Sequence, residues 1–414
     1  MTNISSQIRS RGNAPIFLFL ILILTILTII DDYQGWRLLL IGLVVALVVA
    51  KRWSHSLAEN IHIDREIRFG WAQVGDRLEQ HFTLINDSPF PAVWLELEDH
   101  SNLPGYKADR ATGIGGKNLN RWRMRGICQQ RGLFRLGPTT LHSSDPLGLF
   151  QIKVHDTSHI NLLVTPPVIA LPQIEVAPGG RAGEGRLRPY AQEKTVSSSG
   201  TRPYLPGDSM HQIHWRTTAR KDAIHVHRFE NRPSGDWWIL LDSDELVQVG
   251  EGPKSTIEHS VILAASLADR GLSLGRAVGL AAMGDRLMWL TPKQGEGRRW
   301  EILEALALLK PGNLPLSKLI SLLEPKLSAN SSLVIITPTS SDDWLHSLLP
   351  LVWKGATPTI LLLDRSSFEE TGPPTKATTE LINWGIHYEV ITADLLDRPD
   401  TRPGHKGEYN WSIT

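Results

Sequence analysis

The hydrophobic pattern changes character along the chain, from unbroken apolar runs to period-two alternation and then to apolar runs spaced by helix-length segments. Ala14 to Ile30, APIFLFLILILTILTII, is charge-free and reaches about 25 Å as a helix, close to the thickness of a bilayer core. After Asp31 and Asp32, a second run from Trp36 to Ala50 carries only Arg37, near its end, where a long side chain can snorkel. Residues 1–55 therefore predict two transmembrane helices, at about 14–30 and 36–50.

From Ile61 to Pro166 the rhythm is short and alternating: HIDREIRFG, RLEQHFTLIND, AVWLELED, NRWRMRGIC, FRLGPTTLH and HINLLVTP. Asn86 to Pro89 and Asp145 to Gly148 are turn-forming punctuation between them. This predicts an antiparallel β-sandwich over 56–176. The Gly-, Ser- and Arg-rich stretch 177–199 lacks periodicity and predicts a flexible linker. Beyond Asp236, the runs WWILLD, AVGLAAMG, SLVIITP, TPTILLLD and HYEVIT alternate with helix-length segments such as STIEHSVILAASLADRG and GRRWEILEALALL. That order predicts a mostly parallel α/β sheet over 236–396, followed by a polar tail at 397–414. Ligands of such sheets bind outside the carboxyl ends of the strands, which directs attention to Asp242–Glu245 and Thr337–Asp342.

Composition narrows the function classes. Lys plus Arg and Asp plus Glu each number 43, so no global basicity argues for nucleic acid. One cysteine, Cys128, excludes an internal disulfide and a Cys-rich zinc site. Arg9 and Arg11 before the first span, and Lys51 and Arg52 after the second, bracket the acidic turn at Asp31 and Asp32. The positive-inside rule then puts both ends, and the soluble domains, in the cytoplasm, with Tyr33, Trp36 and Trp53 at the interfaces.

Charge is nonetheless concentrated locally. In the segment 200–235, Arg202, Arg216, Arg220, Lys221, Arg228 and Arg232 face Asp208, Asp222 and Glu230. Leu205 to Asp208 reads as a turn, with Asp208 capping a helix from Ser209 to about Arg216 and Trp215 packing. Arg202, Arg216 and Arg220 suit an anion or carboxylate clamp; equally, they can pair with Asp208 and Glu230 and brace the segment. His211 with His214, and His225 with His227, share faces, but they lack Cys or carboxylate partners at zinc-ligand spacing and sit among guanidiniums. Ser197 to Ser199 form no nucleophile elbow, and the glycine pairs match no phosphate-loop spacing.

Two stretches resemble the DUF58 family of membrane-anchored bacterial proteins with a von Willebrand factor A-like domain. One is Arg131-Gly132-Leu133-Phe134-Arg135-Leu136-Gly137-Pro138 with Ser144 to Phe150. The other is a signature on Arg202, Tyr204, Pro206, Gly207, Asp208, Ile213, His214, Trp215, Ala219 and Arg220. The resemblance implies a transmembrane hairpin, a β-sandwich and an A-type, Rossmann-like α/β domain. It also implies a MoxR-type AAA+ ATPase as partner, together with a transglutaminase-like membrane protein. Many A-type domains hold a divalent cation through Asp-x-Ser-x-Ser. Here Asp242-Ser243-Asp244-Glu245-Leu246 replaces both serines, leaving Asp242, Asp244 and Glu245 as oxygen ligands for Mg²⁺ or Ca²⁺ if a cation is held.

The expectation is a non-enzymatic scaffold at the bacterial inner membrane, without a resident cofactor and with no nucleic-acid partner. Its interaction signature comprises Arg202, Tyr204, Gly207, Asp208, His214, Trp215, Arg216 and Arg220. The alternative is a hydrolase or metal-dependent enzyme using His211, His214, Asp242 and Asp244.

Overall fold

A computed structural model describes residues 4–10, 14–31, 33–171, 173–177, 198–204, 213–221, 223–229, 235–327, 331–339, 341–368 and 379–397. The chain divides between Thr165 and Pro166 into two compact units.

The first unit opens with a strand that alternation did not announce. β1 (Ile4–Ser10) is polar because it lies at a sheet edge, where pairing is by backbone alone. Two helices follow, α1 (Ala14–Ile30) and α2 (Gln34–Asn60). α2 is long and apolar enough to cross a membrane, and α1 is a shorter apolar helix. The second helix runs ten residues past the expected end at Ala50. Ala50, Ser54, Leu57 and Ala58 recur at helical spacing and are buried, so the extension is an amphipathic helix packed on the unit's core. Trp53 fixes the contact by donating from Nε1 to the Pro91 carbonyl at 3.0 Å and stacking on Phe90.

The remaining strands are β2 (Ile61–Ile67), β3 (Trp71–Gln73), β4 (Arg77–Asn86), β5 (Ala92–Asp99), β6 (Arg110–Ile114) and β7 (Asn118–Ile127), then β8 (Gly132–Leu136), β9 (Thr139–Ser144), β10 (Phe150–Asp156) and β11 (Ile160–Thr165). They form sheets ordered β1-β10-β9-β5-β6, β2-β4-β7 and β3-β11-β8. Leu95, Leu97, Leu141, Ile152, Phe82, Leu84, Trp122, Leu136, Leu162 and Val164, drawn from all three, share one core. The run FRLGPTTLH is not one strand: Gly137, at φ 91, turns the chain, so that β8 pairs with β11 and β9 joins β10 and β5.

Residues 166–176, read from the sequence with the sandwich, belong to the second unit. There the Ile169 amide donates to Ser266 Oγ at 3.0 Å, and Arg270 donates to the Leu171 carbonyl at 2.7 Å. The expected linker is shorter at its far end, since β12 (Ser198–Pro203) starts within it; residues 178–197 lie outside the description. α3 (Trp215–Lys221) and β13 (His225–Phe229) follow, with β12 and β13 antiparallel.

The α/β sheet comprises β14 (Trp237–Leu241), β15 (Val278–Met283), β16 (Leu287–Lys293), β17 (Ser332–Thr337), β18 (Thr357–Leu363) and β19 (His387–Ile391), ordered β16-β15-β14-β17-β18-β19. All neighbours are parallel except the β15–β16 pair. Among its helices are α4 (Thr256–Ser273), α5 (Glu296–Leu308), α6 (Leu316–Leu323) and α7 (Leu345–Trp353). Trp238, Leu240, Ile335, Ile360 and Leu362 form one core with α6 and α7. Period two sends Ile239, Leu241, Val334 and Ile336, also buried, to the other face. α4 lies against β14, β15 and β17. Its Ser255 cap accepts from the Glu258 amide. Strands buried on both faces explain why the sequence shows unbroken apolar runs there.

Candidate functional site

The connections from β14 lead to β15 on one side, while β17 and β18 lie on the other. The point where the order reverses is therefore between the carboxyl ends of β14 and β17, where open α/β sheets place ligands. Asp242 follows β14 and Thr337 closes β17, and both are buried. Thr337 Oγ1 donates to Asp242 Oδ2 at 2.6 Å, and Thr339 Oγ1 donates to the same oxygen at 3.2 Å. The Asp244 amide reaches Asp242 Oδ1 at 3.3 Å.

Burial raises the Asp242 pKa above its ordinary value, and the hydroxyl and amide donors only partly offset it. Asp244 is also buried, and its Oδ1 accepts from the Leu246 amide, whereas Glu245 is exposed. The loop is fixed from outside the motif. Ser243 Oγ donates to the Met283 carbonyl at 2.7 Å, and Glu245 N and the Ser243 carbonyl bond to the backbone of Gly312. Only glycine fits at 312, because a Cβ there would lie 2.2 Å from the Gly284 carbonyl oxygen. Gln248 Nε2 donates to the Asp242 carbonyl, and Thr256 Oγ1 donates to Gln248 Oε1. Gln248, Thr256 and Gly312 were not marked by the sequence, since their roles depend on contacts between separate elements. Among the described residues, no group of three or more His, Cys, Asp or Glu gathers at metal-holding distance.

The basic segment is arranged differently from its sequence-based expectation. Ile213 pairs with Val226 in an extended bridge, and the His214 amide donates to the His225 carbonyl at 2.8 Å. The described helix begins at Trp215, after Ile213 and His214 in extended pairing with β13; residues 209–212 of the expected helix lie outside the description. His214 Nδ1 accepts from the Thr217 amide at 3.0 Å, the bond by which a side chain caps the third helical position. His214 thus caps the described helix, while Asp208, to which the sequence assigned a cap, lies outside the described residues.

Trp215, expected to pack, is 70% exposed. Arg216, Ala219, Arg220 and Lys221 are exposed with it, while Tyr204 is half-buried and its amide donates to the Ile224 carbonyl. Thr218 Oγ1 accepts from the His225 amide at 3.0 Å, and His225 is itself buried. Backbone pairing aligns Arg202 with Val226. The side chains of Arg202 and His227, and residues Gly207, Asp208 and His211, lie outside the description.

Residues 200–371 match the family described as "Protein of unknown function DUF58". "Uncharacterized protein YeaD" of Bacillus subtilis (strain 168) is 26% identical over 243 residues, covering 56% of this chain and 58% of that protein. The chain thus spans little more than half the length of that relative. Among solved structures, the SpRpn10 VWA domain has a TM-score of 0.29 at 13% identity, covering 41% of this chain and 98% of that one. The CARDB domain of a Pyrococcus furiosus protein, solved with di-metal ions, has a TM-score of 0.19 at 13% identity, covering 26% and 94%.

Proposed function

We infer, for a chain whose residues 200–371 match the DUF58 family model, a membrane-tethered, non-enzymatic scaffold at the bacterial inner membrane. The observation that carries this reading is the exposed Trp215, displayed with Arg216 and Arg220 on a helix that His214 caps. A large aromatic flanked by guanidiniums is the composition of a binding hot spot. At the sheet crest, Leu246 is 87% exposed beside exposed Glu245 and offers a second apolar contact point. The partner we propose is a MoxR-type AAA+ ATPase, with a transglutaminase-like membrane protein in the same assembly, and the α/β unit serves as a von Willebrand factor A-like docking domain.

Tethering rests on α1 and α2 as a transmembrane hairpin. β1 precedes α1 and pairs with β10, while α2 leads directly into β2, so both ends of the helix pair return to one folded unit. That connectivity supports an even number of crossings. Arg9, Lys51 and Arg52 lie on the side of this unit, which under the positive-inside rule supports a cytoplasmic orientation.

The test is recovery of the ATPase with the tagged chain from detergent. Trp215→Ala and Arg220→Ala should each lower recovery about tenfold or more. Unchanged recovery in both overturns the reading. A hydrolase or metal-dependent enzyme is the second reading, favoured by the carboxylates of Asp242 and Asp244 buried at the sheet's switch point; of the other two residues it was to use, His214 caps α3 and His211 lies outside the description. It requires Mg²⁺ or Ca²⁺ to raise the melting temperature of the wild type and not of Asp242→Asn.

A further inference from the structure

One rim of the first unit exposes apolar side chains where strand alternation would bury every second one. Val93 and Trp94, consecutive in β5, are 69% and 45% exposed, because the register slips between Ala92 and Leu95. A bulge of this kind turns two neighbouring side chains outward together. Ser143 Oγ donates to the Trp94 carbonyl at 2.6 Å, which places the β9–β10 turn beside them. In that turn the Asp145 carboxylate accepts from the amides of Leu147 and Phe150, at 2.9 and 2.6 Å. The turn buries Leu149 and holds Leu147 outward, 50% exposed.

Register locates this rim at the base of the two helices. Ser10, the last residue of β1 before α1, pairs with Phe150, which directly follows the turn. On the other side, Trp53 of α2 holds Pro91, immediately before β5. Gln34 to Trp53 is about 28 Å of helix, close to the roughly 30 Å hydrocarbon thickness of a bilayer. A helix that enters the bilayer near Gln34 therefore leaves it near Trp53, at the level of the rim. Arg9, Lys51 and Arg52 are exposed around it.

We propose that Val93, Trp94 and Leu147 form a membrane-seating rim that inserts into the interfacial layer of a phospholipid bilayer and holds the first unit against the membrane. The proposal rests on the hairpin reading above. Trp suits this layer through its apolar ring and polar N–H, and the surrounding basic side chains suit lipid phosphates. Ile16 and Phe19 of α1, the helix that follows β1 in the chain, are exposed apolar side chains as well. Two attachment points of different kinds, spanning helices and a seated rim, fix the unit's orientation as well as its location.

The experiment uses the full chain in vesicles of phosphatidylethanolamine and phosphatidylglycerol. Cys128 is buried, so Val93→Cys and Leu147→Cys can each carry a fluorophore, with Ile16→Cys marking the membrane and exposed Lys107→Cys marking the β5–β6 connection, beyond the end of β5 at Asp99. Lipids spin-labelled near the glycerol should quench the labels at 93 and 147 at least half as strongly as that at 16, and leave that at 107 bright. Quenching at 16 with none at 93 and 147 overturns the rim and leaves the hairpin standing. Equal quenching at 107 also overturns it, and no quenching at 16 overturns both readings.

Discussion

Asp242 is held at the sheet crest by two hydroxyl donors and an amide, yet its burial dominates and favours the protonated carboxyl. The folded pKa lies above the ordinary 3.8, so the folded state binds the extra proton in the window between the two values. This residue's contribution is fully present below 3.8 and is lost as pH rises through the raised value. Asp242→Asn keeps an acceptor for Thr337 without a titrating proton. Denaturation across that window should show wild type losing stability relative to Asp242→Asn as pH rises. A constant difference between the two would show that Asp242 does not couple folding to protons. Trp215, by contrast, is exposed, and its replacement by Ala should change stability by no more than about 0.5 kcal/mol. A loss of partner recovery in that variant then reports binding rather than unfolding.

The elements that join functional surfaces to cores are the second half of α2 and the turn into α3. Leu57 is fully buried in the core of the first unit and connects α2 to the sheets. Leu57→Ala should cost about 2–5 kcal/mol through lost transfer energy and the cavity left behind, read as a lower melting temperature in detergent. A change below about 1 kcal/mol would mean that the extension of α2 is not anchored there. At α3, His214→Ala removes the acceptor for the Thr217 amide and should cost about 0.5–2 kcal/mol, whereas His214→Asn should recover most of it. Equal melting of the two variants would remove the cap from the account of why Trp215 stands where it does.

For the whole molecule, the decisive connectivity is that the strand before the helix pair and the strand after it belong to one sheet-built unit. A reporter fused after Thr414 should be active when it requires the cytoplasm and silent when it requires export. The reverse result would place the DUF58 segment outside and remove a cytoplasmic ATPase as partner. The apolar runs of α1 and of the α/β strands were legible directly, because an element without a polar face leaves an uninterrupted signal. β1 and β16 were not, since edge pairing is made by backbone atoms and leaves the side chains free to be polar or exposed.

The sequence by itself determined the apolar helices, the change from alternating strands to an α/β sheet, and the family signature, because each is written in local periodicity or residue identity. It also pointed to Asp242 and Thr337 through the strand ends that carry them. Only the tertiary structure decided that Thr337 and Thr339 share one Asp242 oxygen, that His214 caps α3, that Trp215 faces water, and that Val93 and Trp94 turn outward together. These depend on register and on contacts between residues far apart in the chain, where a slip of one position moves a side chain from core to solvent.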